Sequence, residues 1–179
     1  MLIAVAGLSG VGKTTAINHL KDEGVGAEIY VGGYIQNEVS HRGLQLTAEN
    51  EQFVRKDMRQ QFGRDVFAKS VIAEFGDRPL RQNFLLDAIY AREEADCYRK
   101  AFGEGLLIIG LSVDFDARAL RLATRPNRPL TRAELQKRDA YEREVLLVDE
   151  VVAAADLQLS NDGELESFRR VLTDLKVHW

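Results

Sequence analysis

An eight-residue segment near the start of the chain combines glycines, a lysine and a threonine in a spacing that suits phosphate binding. Residues 7–14 fit the pattern G-x-x-x-x-G-K-[ST] and lie between an apolar run and a helical stretch. Glycines let the backbone turn with its N–H groups pointing inward, where a phosphate can be held at the start of a helix. Lys13 would reach the β- and γ-phosphates of ATP, and the Thr14 hydroxyl would bind Mg²⁺. The expected nucleotide-binding residues are Gly7, Ser9, Gly10, Val11, Gly12, Lys13, Thr14 and Thr15.

The Mg²⁺ site needs an acid at the end of a second apolar strand, and Asp87 follows the apolar residues 84–86. We expect Asp87 to complete the metal site with Thr14, although it could instead cap a helix that begins near Tyr90. The next residue is Ala88, where motor-type ATPases usually have a glutamate that activates water. The site therefore favours transfer to an acceptor over hydrolysis. The chain has no N-K-x-D motif for reading guanine.

Strands and helices must bring these residues to one edge of a sheet. Short aliphatic runs alternate with longer amphipathic stretches, which is the pattern of strand and helix units around a parallel sheet. The expected strands are 2–6, 27–31, 83–86, 106–113 and 157–160. The sequence therefore predicts an α/β fold with a doubly wound, parallel, five-stranded sheet, whose ligands bind beyond the carboxyl ends of the strands.

Two segments interrupt this alternation. Residues 34–76 form a mostly helical insertion, longer than a simple crossover requires, and residues 124–131 lie between two helices. Thr47, Asp114 and Thr131 stand where helices should begin. We expect one domain with a core at 1–33 and 77–179, a helical flap at 34–76 and a short lid at about 124–131.

Composition excludes several other classes of protein. The 179 residues are 45% apolar and 29% charged, with a net charge of −4, as in globular proteins rather than disordered or membrane-spanning ones. No export signal is visible, and the single Cys97 suits a reducing compartment, so we expect a cytoplasmic protein. The acidic charge argues against extended nucleic-acid binding. Yet there are 17 Arg against 7 Lys, and 15 of the arginines lie within 42–143, an excess typical of phosphate binding.

Further motifs accompany the phosphate loop along nearly the whole chain. They occupy residues 32–38, 42–44, 47–50, 86–89 and 155–163. With the insertion and the arginine-containing segment 118–138, they give a chain that resembles the P-loop nucleoside and nucleotide kinases. Its strongest resemblance is to the dephospho-coenzyme A kinase-like and archaeal nucleotide-kinase-like branch.

The resemblance implies roles for residues outside the phosphate loop. The flap would bind the acceptor, and Arg118, Arg121 and Arg125 would face the nucleotide, one stacking on adenine and another neutralising the transferring phosphoryl group. Asn161 would lie in the loop beside adenine. Arg138 stands next to Asp139 and could equally form a surface ion pair. The catalytic residues implied are Lys13, Asp87, Arg121 and Arg125, and the acceptor-binding residues are Gly33, Tyr34, Gln36, Arg42, Arg59 and Tyr90.

The chain departs from the family pattern at three of these positions. Gly33 stands where relatives commonly have an aspartate, and Gln36 and Tyr90 stand where they have arginines. A carboxylate that could deprotonate an acceptor hydroxyl is thereby lost, and so are two contacts to an acceptor phosphate. Replacement contacts could come from four flap arginines: Arg42, Arg55, Arg59 and Arg64.

We therefore expect a kinase that transfers the γ-phosphoryl group of ATP to a small nucleotide-like acceptor, as a nucleoside monophosphate kinase does. One alternative is a kinase for a hydroxyl group of dephospho-coenzyme A, a modified nucleoside or a nucleic acid. Another is an ATP-binding partner or sensor protein with weak transferase activity, suggested by Gly33 and Tyr90. We expect ATP and Mg²⁺ as cofactors, no membrane contact, and a monomer or homodimer.

Overall fold

A computed structural model describes residues 1–75, 82–126 and 128–175 of the chain. Five parallel strands form one sheet in the order β2-β3-β1-β4-β5, which confirms the predicted α/β fold. The strands are β1 (Leu2–Ala6), β2 (Ala27–Tyr30), β3 (Phe84–Ile89), β4 (Leu106–Ser112) and β5 (Leu157–Ser160). Strand β3 extends past the predicted end at 86, because Tyr30 of β2 pairs with Asp87 and Ala6 of β1 pairs with Ile89.

Nine α-helices lie in the described part of the chain. They are α1 (Lys13–Asp22), α2 (Gly32–His41), α3 (Ala48–Phe62), α4 (Val66–Phe75), α5 (Arg92–Phe102), α6 (Phe115–Thr124), α7 (Arg132–Glu144), α8 (Val148–Ala153) and α9 (Leu165–Leu175). The predicted capping residues Thr47 and Thr131 accept hydrogen bonds from the N–H groups of Asn50 and Glu134. None of these helices has the length and apolar character needed to cross a membrane.

Strand β1 is the centre of the core, because its side chains alternate between the two faces of the sheet. Leu2, Ala4 and Ala6 pack with residues of α2, α3, α4 and α5, whereas Ile3 and Val5 pack with residues of α1 and α9. All five are at most 1% exposed. The central strand is thus fixed from both sides, and the loop that follows it starts from a rigid support.

The predicted flap consists of α2, α3 and α4, and all three helices contribute buried side chains to the core. Examples are Ile35, Val54 and Phe67. The predicted lid joins α6 to α7, where the Leu130 N–H donates to the Leu122 carbonyl over 3.1 Å. Residue 76 of the flap, 77–81 of the core and Asn127 of the lid lie outside the described residues.

Candidate active site

The loop between β1 and α1 adopts the turn that its glycines predict. Gly7, Gly10 and Gly12 have φ angles of 143°, 88° and 101°, which L side chains rarely adopt. A Cβ atom at Gly12 would also lie 2.6 Å from Nδ2 of Asn161. Helix α1 begins at the next residue, so the loop N–H groups and the helix N-terminus can hold an anion together.

Lys13 lies within this loop. Its Nζ donates to the carbonyl oxygens of Gly7 and Leu8 over 2.7 Å and 3.0 Å. The same ammonium group lies 4.8 Å from the centre of the Tyr90 ring. Lys13 is therefore held at the point where the loop and the end of β3 meet.

Thr14 and Asp87 lie next to each other, as the sequence predicted, and the N-cap residue of the following helix, α5, is Ala91 rather than Asp87. The Thr14 Oγ1 hydroxyl donates to Asp87 Oδ2 over 3.1 Å. Burial raises the pKa of Asp87, and its contacts with Thr14 and Lys13 oppose that effect. A hydroxyl and a carboxylate beside a phosphate loop suit Mg²⁺, which takes few protein ligands and completes its shell with water and phosphate oxygens. The residues present therefore fit this metal.

Ser9 is fixed by two charged side chains behind the loop. Its N–H and its Oγ hydroxyl donate to Oε2 and Oε1 of Glu142 over 2.9 Å and 2.8 Å. Arg118 Nη1 donates to the Ser9 carbonyl over 3.0 Å, and the Arg118 guanidinium also forms a two-point ion pair with Asp139 at 2.8 Å and 2.5 Å. Since Arg118 is only 1% exposed, the expectation that it faces the nucleotide is wrong. It supports the loop from inside.

Asn161 and Arg121 connect the loop to the end of β5. The Asn161 side-chain amide donates to the Val11 carbonyl over 2.9 Å, and Arg121 Nη2 donates to the Asn161 carbonyl over 2.7 Å. The resemblance put Asn161 beside adenine and Arg121 facing the nucleotide, and these roles stay predictions; in the structure Asn161 is only 6% exposed. Its side chain acts on the loop backbone in this arrangement.

Three of the flap arginines that could have contacted phosphate instead form ion pairs with acidic side chains. Arg42 pairs with Glu38 and Asp57 at 2.7 Å and 2.6 Å. Arg59 pairs with Glu94 at 2.9 Å inside the protein, and Arg64 pairs with Glu93 at 3.0 Å. The expectation that Arg42 and Arg59 bind an acceptor does not fit these contacts, because each guanidinium already has an ionic partner. The spacing of residues along the sequence shows which side chains share a helix face. It does not show which distant acids those side chains contact.

The fourth flap arginine has a different environment. Arg55 is half-buried, and within the described residues it forms no hydrogen bond or ion pair. Burial lowers the pKa of Arg55, and the charges of Arg59 and Arg138 lower it further, whereas Tyr90 and Glu51 oppose this effect. Burial also lowers the pKa of Arg125, assisted by Arg138 and Arg128. Burial and neighbouring cations thus both disfavour the charged form of these two arginines.

Tyr90 lies near three arginines from different elements. Arg55 of α3, Arg125 at the end of α6 and Arg138 of α7 are all close enough to Tyr90 for its ionisation to affect their pKa values, and Arg138 also affects the pKa of the other two. We call Arg55, Arg125 and Arg138 the arginine cluster. Arg138 also pairs with Glu142 at 2.8 Å, and not with its neighbour Asp139. Because the three arginines come from different helices, their convergence could not be seen in the sequence.

The remaining predicted acceptor residues lie in α2. Gly33 and Gln36 are half-buried there, and the Tyr34 hydroxyl donates to Glu74 of α4 over 2.5 Å. Burial and Glu74 raise the pKa of Tyr34 strongly. Gly33 brings no carboxylate to the end of β2. The Tyr34 hydroxyl is engaged within the flap.

The lid contacts the flap across the site. Arg128 Nη2 donates to Glu51 Oε1 of α3 over 2.8 Å, and Arg125 Nε donates to the Arg128 carbonyl. Lys56 of α3 lies 5.4 Å from the centre of the Tyr141 ring of α7. These contacts link α3, which carries Arg55, to the lid and to α7, which carries Arg138.

Comparison with known proteins places this arrangement in a family. The chain belongs to the family described as AAA domain, which matches residues 3–144. It is 29% identical over 180 residues to a UPF0200 protein of Thermococcus onnurineus, covering 98% of this chain and 96% of the relative. A UPF0200 protein of Aeropyrum pernix is 34% identical over 168 residues, with 93% and 87% covered, so the chain belongs to the UPF0200 family as well.

Solved structures share the fold. A gluconokinase from Sinorhizobium meliloti 1021 superposes with a TM-score of 0.64 at 16% identity, covering 98% of this chain and 91% of the other. A shikimate kinase from Acinetobacter baumannii in complex with shikimate gives 0.60 at 19% identity, with 99% and 93% covered. The chain therefore has the fold of P-loop kinases. The finer resemblance to the dephospho-coenzyme A kinase-like branch stays a prediction.

Proposed function

We propose that this AAA-domain chain is an ATP- and Mg²⁺-dependent phosphotransferase whose acceptor is a small, nucleotide-like molecule with an ionised phosphate. The observation that carries the proposal is the arginine cluster beside Lys13 and Tyr90. Arg55 supplies it with a half-buried positive charge that forms no hydrogen bond or ion pair with an acid in the described part of the chain. Such a charge favours an anionic ligand, and guanidinium groups bind phosphate through paired hydrogen bonds.

The nucleotide side of the proposed site is the loop at residues 7–14. Its N–H groups and Lys13 would hold the β- and γ-phosphates, and Thr14 and Asp87 would hold Mg²⁺. The metal would neutralise charge on the phosphate oxygens when bound. Arg121 would border the nucleotide and Arg125 would neutralise the transferring group. Arg121 uses one N–H on the Asn161 carbonyl and keeps other donors.

The acceptor side suits a phosphate because phosphate needs no base. A phosphate oxygen that is already ionised attacks the γ-phosphorus, an oxygen–phosphorus bond forms, and the bond to the β-phosphate oxygen breaks to release ADP. A hydroxyl acceptor must also lose a proton, and Gly33 offers no carboxylate after β2. Positioning and charge neutralisation, which this site provides, are the main requirements of phosphoryl transfer.

A hydroxyl acceptor is the second candidate. Burial raises the pKa of Asp87, which suits a group that accepts a proton, and the similar folds include a gluconokinase and a shikimate kinase. Asp87 would then have to act on the acceptor as well as on Mg²⁺. Dephospho-coenzyme A and modified nucleosides are hydroxyl acceptors of this kind.

An acceptor screen with labelled ATP separates these candidates. Purified protein with Mg²⁺ and γ-labelled ATP is incubated with nucleoside monophosphates, dephospho-coenzyme A, nucleosides, shikimate and gluconate, and products are resolved by chromatography. We expect label in a nucleoside diphosphate. Label only in a hydroxyl product supports the second candidate and contradicts the first. ATP binding by calorimetry with no labelled product contradicts both and indicates a nucleotide-sensing protein.

A further inference from the structure

Glu142 of α7 was not identified by any sequence motif, yet it contacts both halves of the proposed site. Its two carboxylate oxygens accept from the Ser9 N–H and the Ser9 hydroxyl of the phosphate loop, 133 residues away in the chain. Oε1 also accepts from Arg138 Nε over 2.8 Å. One carboxylate therefore serves three donors, two on the loop and one in the arginine cluster.

The surroundings of Glu142 stabilise its ionised, negatively charged form. The residue is only 3% exposed. Burial opposes ionisation, but Lys13, Arg138 and the Ser9 contacts outweigh it and lower the pKa of Glu142. A buried carboxylate with this many donors is rigid, because each hydrogen bond fixes its orientation. A shift of α7 would therefore move the Ser9 turn and Arg138 together.

We infer that Glu142 is a positioning residue that couples the phosphate loop to the arginine cluster. It fixes the Ser9 turn from behind and aims the Arg138 guanidinium at the acceptor phosphate. This inference rests on the proposed function for the identity of the two ligands. It predicts that the loss of one side chain impairs binding at two places, which a residue with a merely local role would not do.

Substitution by glutamine tests the coupling with little change in shape. A glutamine amide has a single acceptor oxygen, so it cannot accept from the Ser9 N–H and from Arg138 in the way the two carboxylate oxygens do. The matched control is Glu144→Gln, two residues further on the same helix and exposed. Arg138→Met and Ser9→Ala each remove one end of the coupling. Circular dichroism and thermal unfolding establish that each variant is folded at the temperature of the binding measurements.

Two probes report on the two ends without turnover. Mg·AMP-PNP is titrated by calorimetry to report on the loop. Inorganic phosphate is then titrated into protein saturated with Mg·AMP-PNP, so that the loop is filled and the arginine cluster is the site measured. Neither probe requires phosphoryl transfer, so the result is independent of which acceptor the enzyme phosphorylates.

We expect Glu142→Gln to weaken both probes about tenfold, the effect of losing one hydrogen bond to a charged group. Arg138→Met should weaken phosphate alone, and Ser9→Ala should weaken AMP-PNP alone. The double variant Glu142→Gln/Arg138→Met should bind phosphate no more weakly than Arg138→Met, because Glu142 acts there through Arg138. Glu144→Gln should match the wild type.

Other outcomes overturn the inference. If Glu142→Gln is folded and binds both probes within about twofold of the wild type, or if its loss adds to that of Arg138→Met, Glu142 does not couple the two ends. A wild-type protein that binds AMP-PNP but no phosphate contradicts the proposed phosphate acceptor, and the AMP-PNP measurements still decide whether Glu142 positions the loop. A wild-type protein that binds neither probe contradicts both proposals.

Discussion

Arg55 and Arg59 lie one turn apart on α3, and of the two only Arg59 forms an ion pair in the described part of the chain. Arg59 Nη2 donates to Glu94 over 2.9 Å, and Glu94 in turn accepts from the N–H groups of Tyr90 and Ala91. Arg55 forms no hydrogen bond or ion pair in the described part of the chain; burial lowers its pKa, and the charge of Arg59 lowers it further. Arginine thus has a structural role at position 59, whereas at position 55 it lies in an electropositive environment.

Arg55→Met should make the protein more stable and less active. Removing a half-buried charge that the fold disfavours should raise the free energy of unfolding by about 0.5–2 kcal/mol. The same change removes a cation from the proposed acceptor site, so acceptor KM should rise while ATP affinity is kept. Urea unfolding and steady-state kinetics measure the two effects.

Arg59→Met is the matched control, with the opposite sign for stability. It leaves Glu94 buried without its cation, which should cost about 3–5 kcal/mol. Equal destabilisation by both variants would contradict the distinction between the two arginines.

Lys13→Ala should abolish phosphoryl transfer and leave the fold intact. The ammonium group is the cation of the phosphate loop, and the loss of such a charge should lower kcat by at least about 10²-fold. Circular dichroism and the labelled-ATP assay are the measurements, with the exposed Lys137→Ala as the control. Turnover like that of the wild type would contradict the proposed mechanism.

Asp87→Asn should raise the Mg²⁺ concentration needed for activity. The substitution keeps a partner for the Thr14 hydroxyl but removes the negative charge from the proposed metal site, and activity should fall about 10–100-fold. Magnesium titrations of the initial rate for the wild type and the variant check this. The exposed Asp116→Asn provides the comparison. An unchanged Mg²⁺ dependence would show that Asp87 has another role.

Arg118→Met should destabilise the fold without selectively removing nucleotide contacts. It leaves Asp139 buried and unpaired and frees the Ser9 carbonyl, at a cost of about 3–5 kcal/mol. Arg121→Met, on the same helix, should destabilise the fold much less than Arg118→Met. The hydrogen bond that Arg121 forms in the described region is to a backbone carbonyl and not to an acid. Chemical unfolding of the two variants compares them. Similar stabilities would contradict a supporting role for Arg118.

The stability lost in Glu142→Gln should depend on pH. Lys13 of α1 and Arg138 of α7, with Ser9, lower the pKa of Glu142 against the effect of burial, while the nearby Asp139 is paired with Arg118. The folded protein therefore binds this proton less readily than the unfolded chain, whose ordinary value is 4.5.

The stabilising effect of Glu142 is then complete above that value and is lost as pH falls through the lower pKa of the folded state. Urea unfolding of wild type and variant at several pH values measures the difference. We expect a large difference at neutral pH that shrinks below about pH 4. A difference that grows on acidification would reverse the sign and contradict the assigned ionisation.

The sequence by itself determined the parts of this protein that depend on short-range order. Spacing over eight residues predicts the phosphate loop, because backbone turns and the start of α1 are local properties, and the φ angles of Gly7, Gly10 and Gly12 agree. Alternating apolar runs predict the five strands and their parallel arrangement. Thr14 and Asp87 are also predictable neighbours, because parallel strands bring their carboxyl ends to one edge.

Only the tertiary structure decided which arginines are neutralised. The excess of arginine in the sequence indicated an anion, but a guanidinium four residues from another can be buried against a distant carboxylate or left facing the site. Arg118 is paired with Asp139 and Arg59 with Glu94, whereas Arg55 forms no ion pair among the described residues. Such partners are far apart in the chain, and electrostatic energy depends on distance and burial in space rather than on spacing along the sequence.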